Sequence, residues 1–247
     1  MEQKEFQNMW QRMQREGYFS NHPHYTDHFG ADLSDEDRQL DAMMLSLDFS
    51  GDDIIMPVPY SEALERSAKL TESQWLYRMF KIPQTGTAFD LGCGFGRSVQ
   101  WLSKRYRHVY ASDISEEVIT SARQRIAADN VSFCVNPADS IPSEIPSHSV
   151  DVAYIFTVFQ HIPREYSQQL LSQVAGVLND DGVAVFNLLS NVNLELNDGD
   201  IDTEWAIGYS RQQAEELVAS AGLKLQRIVR WSRPETEFSW LWVQAGP

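Results

Sequence analysis

After Pro83 the chain keeps one rhythm: short apolar runs separated by amphipathic segments of ten or more residues. The runs are Thr87–Leu91, Val109–Ser112, Val131–Val135, Val150–Phe156 and Gly182–Leu189, and the segments between them include Arg97–Tyr106, Glu116–Ala128 and Arg164–Leu178. Strands alternating with helices of this length predict βαβ units and a parallel sheet covered on both faces. Past residue 209 come one more helix, Ser210–Ala221, closed by Gly222, and two strand-like runs, Leu225–Trp231 and Phe238–Gln244. A short turn holding Pro234 joins those two runs, which predicts an antiparallel pair. The expected fold is a Rossmann-like, doubly wound α/β domain with a seven-stranded sheet whose last strand is antiparallel.

The first run leads directly into glycines and then into a helix, over Phe89-Asp90-Leu91-Gly92-Cys93-Gly94-Phe95-Gly96-Arg97-Ser98. Glycines at such a junction let backbone approach a ligand, and the helix N-terminus adds free N–H donors and partial positive charge. The dinucleotide fingerprint G-x-G-x-x-G would need glycine at 97, which is Arg97, so NAD is disfavoured. The second run ends at Asp113, where an acid in doubly wound sheets accepts hydrogen bonds from ribose hydroxyls. The third is followed by Ala138-Asp139-Ser140-Ile141-Pro142, which puts a carboxylate at a strand's C-terminal edge, able to accept from an exocyclic amine such as that of adenine.

Together these residues resemble the class I S-adenosylmethionine-dependent methyltransferases over roughly 84–247. Asp90 with Gly92, Gly94 and Gly96 is similar to the family's glycine-rich motif, Asp113 to its ribose-binding acid and Asp139 to its adenine-side acid. The resemblance also places Cys93, Ile114, Ser140 and Phe156 at the cofactor. The segment from Asp151 to Pro163 is similar to the family's fourth strand and following turn, where many members read D-x-x-x-x-x-x-V-L-x-H-I. Trp205 to Leu223 resembles the helix and turn before the last hairpin in small-molecule members. The implied cofactor is S-adenosylmethionine and the implied reaction is methyl transfer to a small-molecule acceptor. The alternatives are a methyltransferase acting on protein or RNA and an NAD-dependent oxidoreductase.

His161 lies just beyond the fourth strand and reads either as a general base or as a structural residue of the turn Gln160-His161-Ile162-Pro163. His22, His24 and His28 do not suggest a metal site, because Pro23 interrupts their spacing and no cysteine completes a four-ligand set. Arg97, Lys104, Arg105 and Arg107 read as the solvated, dipole-favoured face of a helix. Trp231, Phe238, Trp240 and Trp242 read as strand core.

The segment 1–83 reads as a mostly helical N-terminal cap ahead of a domain spanning 84–247. It opens with an amphipathic stretch (Phe6, Met9, Trp10, Met13), passes an aromatic turn from Tyr18 to Phe29, and continues in helices from about Ser34 and from near Ser61 to Phe80. Such a cap is the family's usual lid over the acceptor, so Tyr18, Phe19 and Tyr25 join Thr157 and Tyr209 as candidate substrate residues. The net charge of −15 over 247 residues repels phosphate backbones, and neither nucleic acid nor an anionic membrane is an expected partner. Two cysteines, no apolar leader and no long apolar run predict a cytoplasmic protein without a membrane anchor.

Overall fold

The computed structural model describes residues 3–16, 35–55, 75–191, 202–203, 206–232 and 238–247. Its strands are β1 (Asp53–Ile55), β2 (Thr87–Leu91), β3 (His108–Asp113), β4 (Val131–Val135), β5 (Val150–Ile155), β6 (Leu178–Asn191), β7 (Asp202–Thr203), β8 (Ala206–Ile207), β9 (Lys224–Ser232) and β10 (Phe238–Gly246). The helices are α1 (Gln3–Arg15), α2 (Asp35–Ser46), α3 (Trp75–Met79), α4 (Arg97–Arg105), α5 (Glu116–Arg125), α6 (Arg164–Val177) and α7 (Arg211–Ser220), with a 3-10 turn at Phe159–His161.

The main sheet has eight strands in the order β1-β9-β10-β6-β5-β2-β3-β4. Every neighbouring pair is parallel except those of β10, which runs antiparallel to both β6 and β9. The seven strands expected from the sequence are all present with the last antiparallel, and the count is corrected to eight by β1. Ile54 pairs with Trp231 of β9, and the Arg227 guanidinium fastens the chain around β1 by donating to the carbonyls of Phe49, Gly51 and Met79. Three residues, Asp53-Ile54-Ile55, are too few for a period-two signal, and only β9 makes them a strand. β6 is also longer than its apolar run, because Leu178 already pairs with Val150 before the irregularity at 179–182.

Local chemistry sets the helix ends. Ser115 caps α5 through its side chain, with Glu116 and Glu117 in the first turn and Arg123 and Arg125 in the last. Ser210 and Gln213 form a reciprocal capping box on α7. The alternating strand residues build a core on each face of the sheet. Ala88, Val109, Val152, Tyr154 and Trp242 meet α3 and α4 on one, while Phe89, Ile155, Phe186 and Leu241 meet α6 and α7 on the other. Chain direction through the sheet splits between β2 and β5: β2 leads outward to β3 and β4, and β5 leads the other way to β6. Ligands of doubly wound sheets bind outside the strand C-termini at such a switch point.

Candidate cofactor and acceptor site

At the end of β2 the backbone folds back on β3, with Gly92 and Cys93 N–H both donating to the Ser112 carbonyl at 2.8 Å. Two of the glycines here serve different ends. Gly92 has φ +75, and a Cβ on it would lie 2.2 Å from Val158 Cγ2, so its missing side chain lets β2 meet the turn after β5. Gly94 has φ +52 and nothing within 4 Å of where its Cβ would stand, so open space adjoins its backbone.

Asp113 joins this loop to the next helix. Its Oδ2 accepts from Gly94 N–H at 3.1 Å and its Oδ1 from Ser115 N–H at 3.0 Å. Burial pushes its pKa up while backbone N–H bonds from Ser115, Gly94 and Ile114 oppose the rise. The acceptor capacity left on the carboxylate fits a ribose hydroxyl. Asp90 is 2% exposed, and its Oδ2 has no hydrogen-bond partner. Burial first, then repulsion from Asp113, pushes its pKa up to about 7 against the pull of Arg97. A buried carboxylate in this state calls for a cation.

The segment carrying Asp139 and Ser140 follows β4 and is held from α6: Gln173 Nε2 donates to the Asp139 carbonyl at 2.8 Å and its Oε1 accepts Ile141 N–H at 3.1 Å. After β5, Thr157 adopts φ +59, a left-handed conformation costing a β-branched residue roughly 1–3 kcal/mol. Asn187 of β6, fully buried, holds it by accepting Thr157 N–H on Oδ1 at 2.7 Å. No local motif marks Gln173 or Asn187 for these roles, since each acts on a segment some thirty residues away.

Phe156 packs edge-on between Tyr154 and Trp242, at 5.5 and 5.2 Å between ring centroids. Cys93 is buried and its pKa is pushed well up, chiefly by burial, so it lines the loop as an inert thiol. His161 closes the 3-10 turn, and the Trp10 ring of α1 meets it edge-to-face at 5.3 Å. Met9 and Trp10 pack on the same core as Ile114, which brings α1 to the C-terminal edge of the sheet. Tyr209 is 1% exposed with its hydroxyl donating to Ser167 Oγ at 3.1 Å and the Arg164 guanidinium over its ring, a packed position rather than an open wall. Tyr18, Phe19 and Tyr25, like His22, His24 and His28, lie outside the described residues.

The geometry has clear counterparts. A family model described as a methyltransferase domain matches residues 88–182, from β2 into β6. Over those residues the chain is similar to the S-adenosylmethionine-dependent methyltransferases. A curated methyltransferase of Claviceps purpurea is 28% identical over 88 residues, 36% of this chain and 27% of that protein, so the chain matches about a quarter of its relative's length. Among solved structures, magnesium protoporphyrin IX methyltransferase from Synechocystis, with bound S-adenosylhomocysteine, has a TM-score of 0.59 at 14% identity, covering 97% of this chain and 98% of that one. An S-adenosylmethionine-dependent methyltransferase from Mesorhizobium loti has a TM-score of 0.58 at 17% identity, covering 70% of this chain and 96% of that one. At these identities the structural likeness speaks to the fold.

The residues present fit the cofactor of this family, S-adenosylmethionine. The unpartnered Asp90 oxygen suits its ammonium, Asp113 its ribose, and the space beside Gly94 admits it against backbone. Among the described residues no cluster of His, Cys, Asp and Glu could hold a metal, and no helix is long and apolar enough to cross a membrane.

Proposed function

We propose that this methyltransferase transfers a methyl group to a small-molecule acceptor enclosed between the C-terminal edge of the sheet and α1. The observation that carries the reading is the Trp10 contact with His161, which draws the N-terminal helix onto the turn following β5. A helix in that position walls off water and limits the acceptor to something that fits beneath it.

When bound, S-adenosylmethionine supplies a methyl carbon activated by its sulfonium, and displacement there depends mainly on positioning. Asp90 would hold the ammonium end, Asp113 the ribose and Asp139 the adenine side, with Cys93, Ile114, Ser140 and Phe156 lining the pocket. Asn187 fixes the Thr157 turn that faces the acceptor. His161 would take the proton of a hydroxyl or ammonium acceptor, or hold the turn under Trp10 when the acceptor needs no base. The net charge of −15 counts against RNA as acceptor. A cytoplasmic location belongs to the same proposal, supported by Cys93 and Cys134 both being free thiols.

The test is to incubate the full chain with methyl-labelled S-adenosylmethionine against three panels: small metabolite acceptors, peptides and RNA. The reading expects label transfer and S-adenosylhomocysteine release with a member of the first panel. Transfer confined to peptides or RNA would overturn it.

A further inference from the structure

Residues 136–149 connect β4 to β5 without a helix or strand, yet they carry Asp139 and Ser140 at the cofactor edge. Ala138 and Ile145 bury in the core beside α6 and fix the loop's flanks. Between those anchors the Gln173 side chain holds the backbone at two points. The Gln173 amide donates to the Asp139 carbonyl and accepts Ile141 N–H, the pattern a neighbouring strand would supply. The same device recurs where Gln244 of β10 accepts Lys81 N–H at 3.2 Å and donates to the Lys81 carbonyl at 2.7 Å. A carboxamide carries a donor and an acceptor side by side at one tip, whereas ionised glutamate lacks the donor, lysine and arginine the acceptor, and leucine both. Its platform is rigid, because Leu170, Leu171 and Val174 bury the adjoining face of α6.

We infer that Gln173 is a positioning residue for nucleobase recognition: it sets the backbone of 139–141, and through it the Asp139 carboxylate, against the exocyclic amine of adenine. The inference rests on the proposed adenine-side role of Asp139. It makes cofactor selectivity depend on a helix residue that touches only backbone.

The experiment is calorimetric titration of the full chain with S-adenosylhomocysteine and with S-inosylhomocysteine, whose base carries a carbonyl in place of the amine. The wild-type chain should favour the adenosyl ligand by about tenfold or more, the value of one well-placed hydrogen bond to a charged acceptor. Gln173→Leu should lose most of that preference, with the affinity for the inosyl ligand little changed. Gln173→Glu keeps only the Ile141 bond and should fall between, which preserves the test if the leucine variant folds poorly. Preference retained in full by a folded variant overturns the inference alone. Equal wild-type affinity for the two ligands overturns the Asp139 reading and the inference with it.

Discussion

The Asp113 carboxylate accepts the backbone N–H of Gly94 at 3.1 Å, reaching from the end of β3 to the glycine loop that leaves β2. Its other oxygen takes Ser115 N–H at the start of α5, so one side chain couples both βα turns of the cofactor edge. Asp113→Ala should therefore cost both the ribose contact and the loop's order. S-adenosylhomocysteine affinity is expected to fall by about one to two decades, corresponding to roughly 1.5–3 kcal/mol for hydrogen bonds to an ionised acceptor. Unchanged affinity in titration calorimetry would remove the ribose assignment.

Asp90 is expected to make cofactor binding pH-dependent. With its pKa pushed up to about 7 from the ordinary 3.8, it is largely protonated below neutrality and must release a proton to receive an ammonium. Affinity for S-adenosylhomocysteine should drop about tenfold per pH unit below 7 and level off above it, with proton release visible as buffer-dependent heats. The same shift bears on stability. A carboxyl with a raised folded-state pKa costs nothing below about 4, destabilises increasingly between 4 and 7, and imposes a constant cost above. Asp90→Asn should thus raise the thermal midpoint at pH 8 while weakening the ligand. A midpoint lower than wild type at pH 8 would show that the charge is compensated.

Gly92 and Gly94 should separate fold from binding. Gly92→Ala drives a Cβ to 2.2 Å from Val158 Cγ2 at a left-handed φ, and is expected to cost about 1–3 kcal/mol in denaturant unfolding, partly recovered by adding Val158→Ala. Gly94→Ala meets open space, so it should leave stability within about 1–2 kcal/mol and chiefly lose S-adenosylhomocysteine. Equal effects of the two on ligand affinity at equal stability would contradict this division.

The N-terminal segment divides at Phe49. Arg227 holds the carbonyls of Phe49 and Gly51, and β1 adds to the sheet, so a chain starting at Tyr60 strips partners from a half-buried guanidinium. Unfolding free energy is expected to fall by about 2–5 kcal/mol in that truncation. Deleting residues 1–46 spares β1 and should keep S-adenosylhomocysteine binding while abolishing methylation of the acceptor found by the panel screen. Full-rate methylation by the shorter deletion would move the acceptor to the Phe156–His161 turn and the 187–209 region.

The sequence carried what local rules can encode. Strand runs and capped helices after Pro83 lie within a few residues of their positions in the fold, and Asp90 and Asp113 come together because β2 and β3 are adjacent and parallel. β1 was illegible because its three residues become a strand only against β9, and β6 exceeds its apolar run because the polar Asn179-Asp180-Asp181 separates Leu178 from the run that starts at Gly182. Gln173 and Asn187 escaped for a related reason. An amide on a helix or strand announces nothing until the distant backbone it satisfies is in place. Tyr209 reads as a site residue beside its motif, yet three-dimensional packing spends its hydroxyl on Ser167.

The central claim is that the Asp90–Asp113 edge binds S-adenosylmethionine and not a nicotinamide cofactor. Calorimetric titration of the full chain at pH 8 with S-adenosylmethionine, S-adenosylhomocysteine and NAD tests it in one series. The account predicts saturable one-to-one binding of both adenosyl ligands, lost by one decade or more in Asp113→Ala, and no saturable heat with NAD. Saturable NAD binding, or a folded wild-type chain that takes up neither adenosyl ligand, would contradict it.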